Sequence, residues 1–520
     1  MSPARAAGTE PFAESRLPHI VTHQSGYSSA ERDPSVTPFC GRRLSSTGAN
    51  AQDARHTATD RSMAATFARS LIDVDNPGLV LLVSLTHGIN EFFSIIVPPL
   101  FPFLVPGLDI GYSEASLLVV VFFLTYSMFQ LPVGPLADVY DERALLVGGT
   151  AVLACGIALV AVSPSFPLML CGMFVAGVGG STYHPTGMAL ITDVESTETH
   201  GRSMGVHGTM GSAGTVLAPA LVVGVAGLLG WRAALLAGAL VGVAFAALLY
   251  LLYPRVAPAT LDSAPAREPA ATDGSGGGST ARGPEPSLSL SSSVSSASEP
   301  SSSSKPSFVE ALRLTFTSEV DLREAGSRIA RYLRAPSMLA LIALFLVVGA
   351  EVRAIQTFTA SFATASVGLG ASYGGAILSV TMISAGIASI LAGYGVDRVE
   401  RTRFALACFL ATALVVSALV WLPFSALSLP IGFAVLGFVL YAVYPAANAI
   451  AAGAAGEASG SLFAVTNTAA AIGGAAGPFL VGVVADAASL DLAFLAAAGI
   501  ALCGVPVAAF SGQVVTRASG

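Results

Sequence analysis

Charged side chains are scarce in this chain of 520 residues. They make up 11% of the sequence, whereas apolar residues make up 53%. Soluble globular domains carry about 25% charged residues, so a soluble enzyme of ordinary composition is excluded. The expected solvent for most of the chain is a lipid bilayer.

Motifs of several enzyme classes are absent as well. The sequence contains no Gly-Lys phosphate-binding loop and no His or Cys cluster at the spacing of a metal site. Its five cysteines have no paired spacing and are expected to pack as ordinary small residues. The net charge of −7 is spread over loops and tails and indicates no nucleic-acid partner. We therefore predict that the protein is not an enzyme and holds neither a cofactor nor a metal.

Long apolar runs are what the sequence does contain. A helix of about 20 apolar residues crosses the hydrocarbon core of a bilayer, and twelve such runs occur along the chain. They span 78–104, 114–136, 144–162, 166–191, 203–226, 231–253, 337–362, 373–395, 404–422, 428–450, 461–485 and 492–510. The predicted fold class is an all-α membrane protein with twelve transmembrane helices.

The basic residues lie on one side of this topology. Of 25 Lys and Arg residues, 23 fall before the first helix, after the last, or in the loops that follow helices 2, 4, 6 and 8. Arg232 alone falls in an opposite loop, and Arg353 lies within helix 7. Because Lys and Arg are enriched in cytoplasmic loops, we expect a multi-pass protein of the plasma membrane with both termini in the cytoplasm.

An internal repeat divides the helices into two sets of six. The matching pairs are Gly134/Gly393, Asp138/Asp397, Gly201/Gly460, Gly214/Gly473 and Pro219/Pro478, all 259 residues apart, and Pro185/Pro445, 260 apart. Such regular spacing indicates a tandem duplication. Since each unit has an even number of crossings, the halves are predicted to be parallel pseudo-repeats, with a substrate site between them near the bilayer midplane.

Composition sets the remaining boundaries. The predicted segments are a disordered cytoplasmic tail at 1–76, six-helix halves at 77–254 and 336–513, a Ser/Gly-rich cytoplasmic linker at 255–335 and a cytoplasmic C-terminus at 514–520. Within the linker, residues 307–334 have apolar side chains every four positions among arginines. This pattern is typical of an amphipathic helix that lies on the membrane surface.

Two loop segments resemble the loop motif of the major facilitator superfamily: PVGPLADVYDER at 132–143 and LAGYGVDRVERTR at 391–403. The first copy is degenerate, because Val139 stands where the family has Arg and Asp141 where it has Gly. Three further stretches resemble the fosmidomycin-resistance-like branch: HGINEFF at 87–93, GGSTYHPTGMAL at 179–190 and GRSMGVHGTMGSAGTVLAP at 201–219. The resemblance implies twelve helices, transport driven by a proton gradient and, in the named relatives, drug export.

Ionisable residues inside membrane helices are rare and usually face the bundle interior. His87, Asn90 and Glu91 share one face of helix 1, which brings an imidazole within reach of a carboxylate. His184 precedes Pro185 in helix 4, where the helix is expected to break. We predict proton coupling by Glu91, His87, His184 and Glu351. The alternative for the helix 1 pair is a hydrogen bond that only fixes helix packing.

Other polar residues are predicted to bind the substrate. Arg353 and Gln356 share a face of helix 7 that suits a carboxylate or phosphonate, whereas Glu351 points to a different face. The predicted substrate-binding residues are Asn90, His184, His207, Arg353, Gln356, Tyr444 and Asn448. For the tyrosine, packing between helices is the alternative.

The loop residues are predicted to form a charge network that holds one access state. They are Gly134, Asp138, Arg143, Gly393, Asp397, Arg398 and Arg401. A solvated loop that serves only topology is the alternative.

Three functions remain open at this point. Proton-coupled export of a drug or other small molecule is favoured by the branch resemblance and by the Gly/Pro pattern GSAGTVLAP at 211–219. Proton symport of a small organic anion would use Arg353. A non-transporting membrane sensor is the third. The expected partners are a small-molecule substrate and the lipid bilayer, and a monomer suffices in principle.

Overall fold

The computed structural model describes residues 73–258, 308–310, 335–396, 398–453 and 459–519. These residues form twelve helices that are long and apolar enough to cross a membrane, and they contain no strand. The helices are α1 Pro77–Leu108, α2 Tyr112–Val139, α3 Glu142–Val162, α4 Phe166–Val194, α5 Thr197–Leu229, α6 Trp231–Val256, α7 Pro336–Val367, α8 Ala371–Val396, α9 Arg401–Trp421, α10 Leu429–Ala452, α11 Ser459–Ala487 and α12 Leu490–Ser519. The predicted fold class is confirmed. The predicted tail 1–76 lies outside the described residues up to residue 72, as does most of the predicted surface helix 307–334.

The α1 span is itself interrupted after Ser94, where a 3-10 turn at Pro98–Leu100 precedes the helix Phe101–Leu108. Two further spans break at places that are equivalent in the two halves. α4 consists of Phe166–Ser181 and Tyr183–Val194, and α10 consists of Leu429–Tyr441 and Val443–Ala452. Pro185 and Pro445 lie four residues after Ser181 and Tyr441, and proline has no N–H to donate to those carbonyls. The backbone hydrogen-bond pattern of α4 and α10 is therefore interrupted near the middle of each half, where the freed backbone groups lie near the bundle interior.

Glycine allows the first helix of each half to touch the fifth. A Cβ on Gly214 would lie 2.0 Å from the carbonyl oxygen of Gly88, and a Cβ on Gly473 would lie 2.0 Å from that of Leu346. The α1–α5 and α7–α11 contacts are thus backbone against backbone. Such close approach by small residues is the usual way in which membrane helices gain packing energy.

α1 begins and α12 ends on the same side of the bundle, because the number of spans is even; we call it the terminal side. There the carboxylate of Glu195 accepts hydrogen bonds from the backbone N–H groups of Asp75 (3.1 Å) and Asn76 (2.8 Å) and from the Ser203 hydroxyl (2.7 Å). Burial raises the pKa of Glu195, but these hydrogen bonds outweigh it and hold the pKa below its usual value. The start of α1 is thereby fixed to the α4–α5 connection.

On the opposite side a carboxylate joins the two halves. Asp486, near the end of α11, accepts hydrogen bonds from the backbone N–H groups of Tyr112 (2.6 Å) and Ser113 (2.8 Å) and from the Ser113 hydroxyl (2.5 Å). We call this contact the Asp486 latch. An anion at a helix N-terminus is stabilised by the unpaired N–H groups and the helix dipole. The repeat places Gly227 at the equivalent position of α5, which has no carboxylate to offer Ser372 of α8.

Replacing Asp486 by Asn is expected to lower the free energy that favours closure of the opposite side by about 1 kcal/mol, because the carboxylate is lost and one amide oxygen remains. The population open on that side should therefore rise several-fold. Double electron–electron resonance between spin labels at the exposed positions Leu228 and Leu427 would measure the opening. Asp491→Asn, in the first turn of α12, is the matched control. A distance distribution equal to that of the control would contradict the latch.

Candidate functional site: the cavity between the two halves

A cavity of about 600 Å³ lies between the two halves. It is lined by Glu91, Ser94, Phe123, Tyr126, Ser127, Gln130, Leu131, His184, Pro185 and Met188 from the first half, and by Gly349, Arg353, Tyr444, Asn467, Thr468, Ala470, Ala471 and Gly474 from the second. Leu131 and Met188, toward the terminal ends of α2 and α4, are 61% and 44% exposed. Phe101, Leu104 and Phe358 are fully buried toward the opposite side. The cavity therefore opens to the terminal side and is closed on the other.

A carboxylate stands between two imidazoles in the first-half wall. The Oε1 atom of Glu91 lies 3.5 Å from Nε2 of His184 and 3.8 Å from Nε2 of His87. Its Oε2 atom accepts a hydrogen bond of 3.1 Å from the Ser94 hydroxyl. Glu91 and His184 both face the cavity, so this pair can exchange protons or bind a ligand that enters from the terminal side.

Asn90 braces the same wall from behind. Its amide donates to the carbonyl of Gly180 (3.0 Å), and its Oδ1 accepts from the Tyr126 hydroxyl (3.0 Å). Asn90 is 4% exposed and lies behind the cavity surface. Asn90 thus ties α1 to α2 and α4, and this fixes the position of the next residue, Glu91.

His87 is held in one orientation. Its Nδ1 lies 2.9 Å from the carbonyl oxygen of His207; because a carbonyl only accepts, Nδ1 carries the proton and Nε2 faces Glu91. The ring stacks on Tyr183 at a centroid distance of 5.3 Å and an angle of 11°. A Cβ on Gly211 would lie 2.3 Å from the His87 ring, so only glycine leaves room for it.

Arg353 forms the facing wall on α7. Its guanidinium lies 4.2 Å from the centre of the Phe123 ring and donates to Oε1 of Gln356 (2.7 Å). Gln356 is buried and donates in turn to the Tyr441 hydroxyl (3.2 Å). Among the described residues no carboxylate forms an ion pair with Arg353. A cation so placed suits an anionic group on a ligand.

Not all predicted site residues reach the cavity. Glu351 is 1% exposed and faces Thr412 of α9. His207 is 3% exposed behind His87, and Asn448 is exposed on the second part of α10 away from the lining. The structure thus brings together Glu91, His184, Arg353 and Tyr444 at the cavity surface, with His87, Asn90, His207 and Gln356 immediately behind it.

Only part of the predicted loop network lies among the residues that the structure describes. Arg143 donates to the carbonyl of Tyr250 (2.6 Å) and stacks on its ring (4.2 Å), and Arg401 donates to the carbonyl of Ala449 (2.9 Å). Gly134 and Gly393 have open space around them, and Arg398 is exposed. The Asp138 side chain and Asp397 lie outside the described part of the chain. The two arginines therefore bind helix ends here, and their pairing with the aspartates stays a prediction.

Sequence reasoning missed several lining residues, among them Phe123, Tyr126, Gln130 and Asn467. Phe123, Tyr126 and Gln130 recur at helical spacing on α2. Tyr and Gln among the apolar residues of that helix are the signal that could have identified this face.

Comparison with known proteins agrees with this architecture. The sequence profile of the Major Facilitator Superfamily matches residues 83–478 and 341–517, which is more than half of the chain. The Fosmidomycin resistance protein of Escherichia coli (strain K12) is 25% identical over 144 residues, which cover 28% of this chain and 35% of that protein. The Probable nitrate transporter NarT of Staphylococcus carnosus (strain TM300) is 24% identical over 157 residues, covering 30% and 40%. Each alignment spans less than half of the relative.

A solved structure extends the likeness to the whole bundle. A bacterial homolog to the human lysosomal transporter Spinster, in an inward-facing and occupied conformation, aligns over 85% of this chain and 96% of that chain. The TM-score is 0.60 at 13% identity, so the likeness concerns the fold. The family match over more than half of the chain shows that the chain belongs to the Major Facilitator Superfamily, and its twelve long apolar helices are those of a multi-pass membrane protein.

Proposed function

We propose that this transporter exports a small molecule with an anionic group in exchange for protons. The observation that carries the proposal is the Glu91 carboxylate, which lies in the cavity wall within 3.5 and 3.8 Å of two imidazoles. Arg353, which forms no ion pair with any described residue, lines the same cavity. A proton site and an anion site thus share one cavity. The proton gradient is the proposed source of energy.

The coupling follows from the cost of burying charge. When the halves close over the cavity, an ionised carboxylate loses water at a cost of several kcal/mol unless it is paired or protonated. We propose that Glu91 takes up a proton from one side, that closure carries it across, and that the solute anion bound at Arg353 travels in the other direction. His87 and His184 would relay the proton. When Glu91 is deprotonated, a protonated imidazole would offset its negative charge.

The direction of transport is inferred from the arginines. With both termini in the cytoplasm, as the 23 basic residues of the terminal side predict, the open cavity faces the cytoplasm and loads solute there. The similarity to the Fosmidomycin resistance protein favours an export substrate of the phosphonate or drug class. Arg143, Arg398 and Arg401, with the two loop aspartates, are proposed to pair in the state that is closed on this side.

Uptake of an organic anion by proton symport is the second candidate, because Arg353 would serve an inward-bound anion equally well. The two directions differ in a cellular assay. A drug-sensitive host that expresses the protein in its plasma membrane should accumulate less of an exported compound, such as fosmidomycin or another of a chemically varied panel, and a protonophore should restore accumulation. Greater accumulation that the protonophore abolishes would support symport, and no change with any compound would contradict both.

Replacing Arg353 by Ala is expected to raise the apparent KM for an anionic solute at least tenfold. A charge-assisted hydrogen bond contributes about 1.5–3 kcal/mol, and each 1.4 kcal/mol corresponds to a factor of ten. Arg353→Lys should recover part of the loss, since it keeps the charge but not the planar fork. Arg403→Ala, on the terminal end of α9, is the matched control. An unchanged KM in Arg353→Ala would remove Arg353 from the binding site.

A further inference from the structure

Three histidines from three different helices converge beside the cavity. His87 of α1, His184 of α4 and His207 of α5 each offer one ring nitrogen, and these nitrogens all lie within 4.8 Å of one another. The ring centres of His87 and His207 are 4.0 Å apart, and those of His87 and His184 are 5.2 Å apart. We call these residues, with Glu91, the histidine cluster.

The separations approach those of a four-coordinate metal centre. With Zn–N bonds of about 2.0–2.1 Å, tetrahedral geometry requires nitrogens about 3.4 Å apart. The Glu91 Oε1 atom already lies 3.5 Å and 3.8 Å from the Nε2 atoms of His184 and His87. The His184 side chain is 30% exposed, so it is the member of the cluster with the most room to adjust toward a bound cation. Three imidazoles and one carboxylate would complete the coordination.

One buried histidine of the cluster has ring nitrogens that no other described residue satisfies. His207 is 3% exposed, and neither Nδ1 nor Nε2 has a hydrogen-bond partner among the described residues. Leaving a buried polar atom without a partner costs about 1–3 kcal/mol. A cation bound in the histidine cluster would satisfy one of these two nitrogens.

His87 is already oriented as a metal ligand. Its Nδ1–H donates to the backbone carbonyl of His207 at 2.9 Å, which leaves the lone pair of Nε2 directed at the cluster. Metal-binding histidines almost always use their second nitrogen in this way. Without a cation, the Nε2 lone pair faces the Glu91 carboxylate, another acceptor, at 3.8 Å. Such an arrangement of acceptors is stabilised by a positive charge between them.

The cluster is rigid on its inner side and open on its outer side. Tyr183 stacks against His87 and donates its hydroxyl to the carbonyl of Val83 (2.7 Å), and the missing side chain of Gly211 leaves room for the His87 ring. His184 and Glu91 line the cavity, so an ion from the terminal side reaches the cluster directly. His87 and His207 thus lie on the buried side of the cluster, and His184 and Glu91 on the side by which an ion would enter.

We propose that His87, His184 and His207, with Glu91 as the fourth ligand, form a binding site for a divalent transition-metal cation of the Zn²⁺ class. Imidazole suits Zn²⁺, Co²⁺, Ni²⁺ and Cu²⁺, whereas Mg²⁺ and Ca²⁺ prefer sites made of oxygen ligands. The negative charge of Glu91 offsets part of the charge of the cation. This proposal does not depend on the direction of transport. Because Glu91, His87 and His184 also form the proposed proton path, a bound cation and a coupling proton would compete for these side chains.

The test is equilibrium binding of Zn²⁺ to the full-length protein, purified in detergent through a tag without histidine. His184→Gln and His207→Gln are expected to lower Zn²⁺ affinity at least 100-fold, since loss of a supporting residue around a metal site already costs 10- to 100-fold. His200→Gln, on the same helix as His207 but outside the cluster, is the matched control and keeps the affinity. All of these chains share the tail histidines His19, His23 and His56, so the difference between them isolates the cluster.

Co²⁺ provides a second readout, because its visible absorption is strong in a four-coordinate site and weak in a six-coordinate one. The wild type should bind one Co²⁺ with the four-coordinate spectrum, and Zn²⁺ should displace it. Size-exclusion elution checks folding, and the partly exposed His184 carries the test if His207→Gln aggregates. No Zn²⁺ binding, or binding that the cluster variants and His200→Gln retain equally, would overturn the proposal. Neither readout involves transport, so failure of the export proposal leaves this result unaffected.

Discussion

In proteoliposomes, an imposed pH difference is expected to drive solute uptake against the solute gradient. Glu91→Gln is expected to lower the rate of this uptake at least 100-fold. Gln keeps the size of the side chain and the hydrogen bond with Ser94 but cannot take up or release a proton. The variant should still bind solute, because Arg353 remains. The measurement is the initial rate of pH-driven flux beside equilibrium binding of the same solute.

Two further variants sharpen this experiment. Glu198→Gln, an exposed acid in the first turn of α5, is the matched control and should transport normally. Glu351→Gln compares the two carboxylates among the four predicted proton-coupling residues, since Glu351 is buried against α9 and lies away from the cavity. Loss of coupling in Glu351→Gln with retention in Glu91→Gln would move the proton path to α7 and contradict the proposal.

The second large effect concerns the contact between α1 and α5. Gly214→Ala is expected to destabilise the protein by about 1–3 kcal/mol or more, because the new Cβ would lie 2.0 Å from the Gly88 carbonyl oxygen and backbone cannot move aside cheaply. Gly473→Ala should act alike in the second half, against Leu346. Thermal unfolding followed by fluorescence size-exclusion chromatography should show an apparent Tm several degrees below that of the wild type.

A glycine on the same helix controls for the effect of helix propensity. Gly224 of α5 has no atom within 4 Å of a built Cβ, so Gly224→Ala should be neutral or slightly stabilising, since Ala favours a helix over Gly by up to about 1 kcal/mol. Equal Tm values for Gly214→Ala and Gly224→Ala would show that the two helices are not in backbone contact. Displacement of α1 would also move His87 and Glu91, so transport should fall in Gly214→Ala before the protein unfolds.

Local patterns in the sequence predicted the parts of this structure that depend on near neighbours. The i,i+4 spacing of His87 and Glu91 placed the two side chains on one face, and Pro185 marked the break in α4. The break in α10 lies at Pro445, its partner in the repeat, where the sequence analysis predicted none. The two-residue separation of Glu351 and Arg353 predicted different faces, and the structure has one against α9 and the other on the cavity. The number of spans followed from hydropathy, because bilayer thickness fixes helix length.

What the sequence left open depends on contacts between distant segments. His184 and His207 lie 97 and 120 residues beyond His87, so no local spacing predicts a cluster, and the prediction that the chain holds no metal site was drawn from local spacing alone. Asp486 reaches the start of α2 across 374 residues. In the sequence it is one acidic residue near a helix end, and only the packing of α11 against α2 gives it a partner.

We propose that a solute and a proton are exchanged through the cavity between the halves. The most direct measurement is the pH inside proteoliposomes that contain the wild-type protein and an entrapped pH-sensitive dye, recorded on addition of an anionic solute such as fosmidomycin to one side. Exchange predicts proton movement opposite to the solute, saturable in solute concentration and absent with Glu91→Gln. Solute flux without any change in internal pH, or with protons moving in the same direction as the solute, would contradict the account.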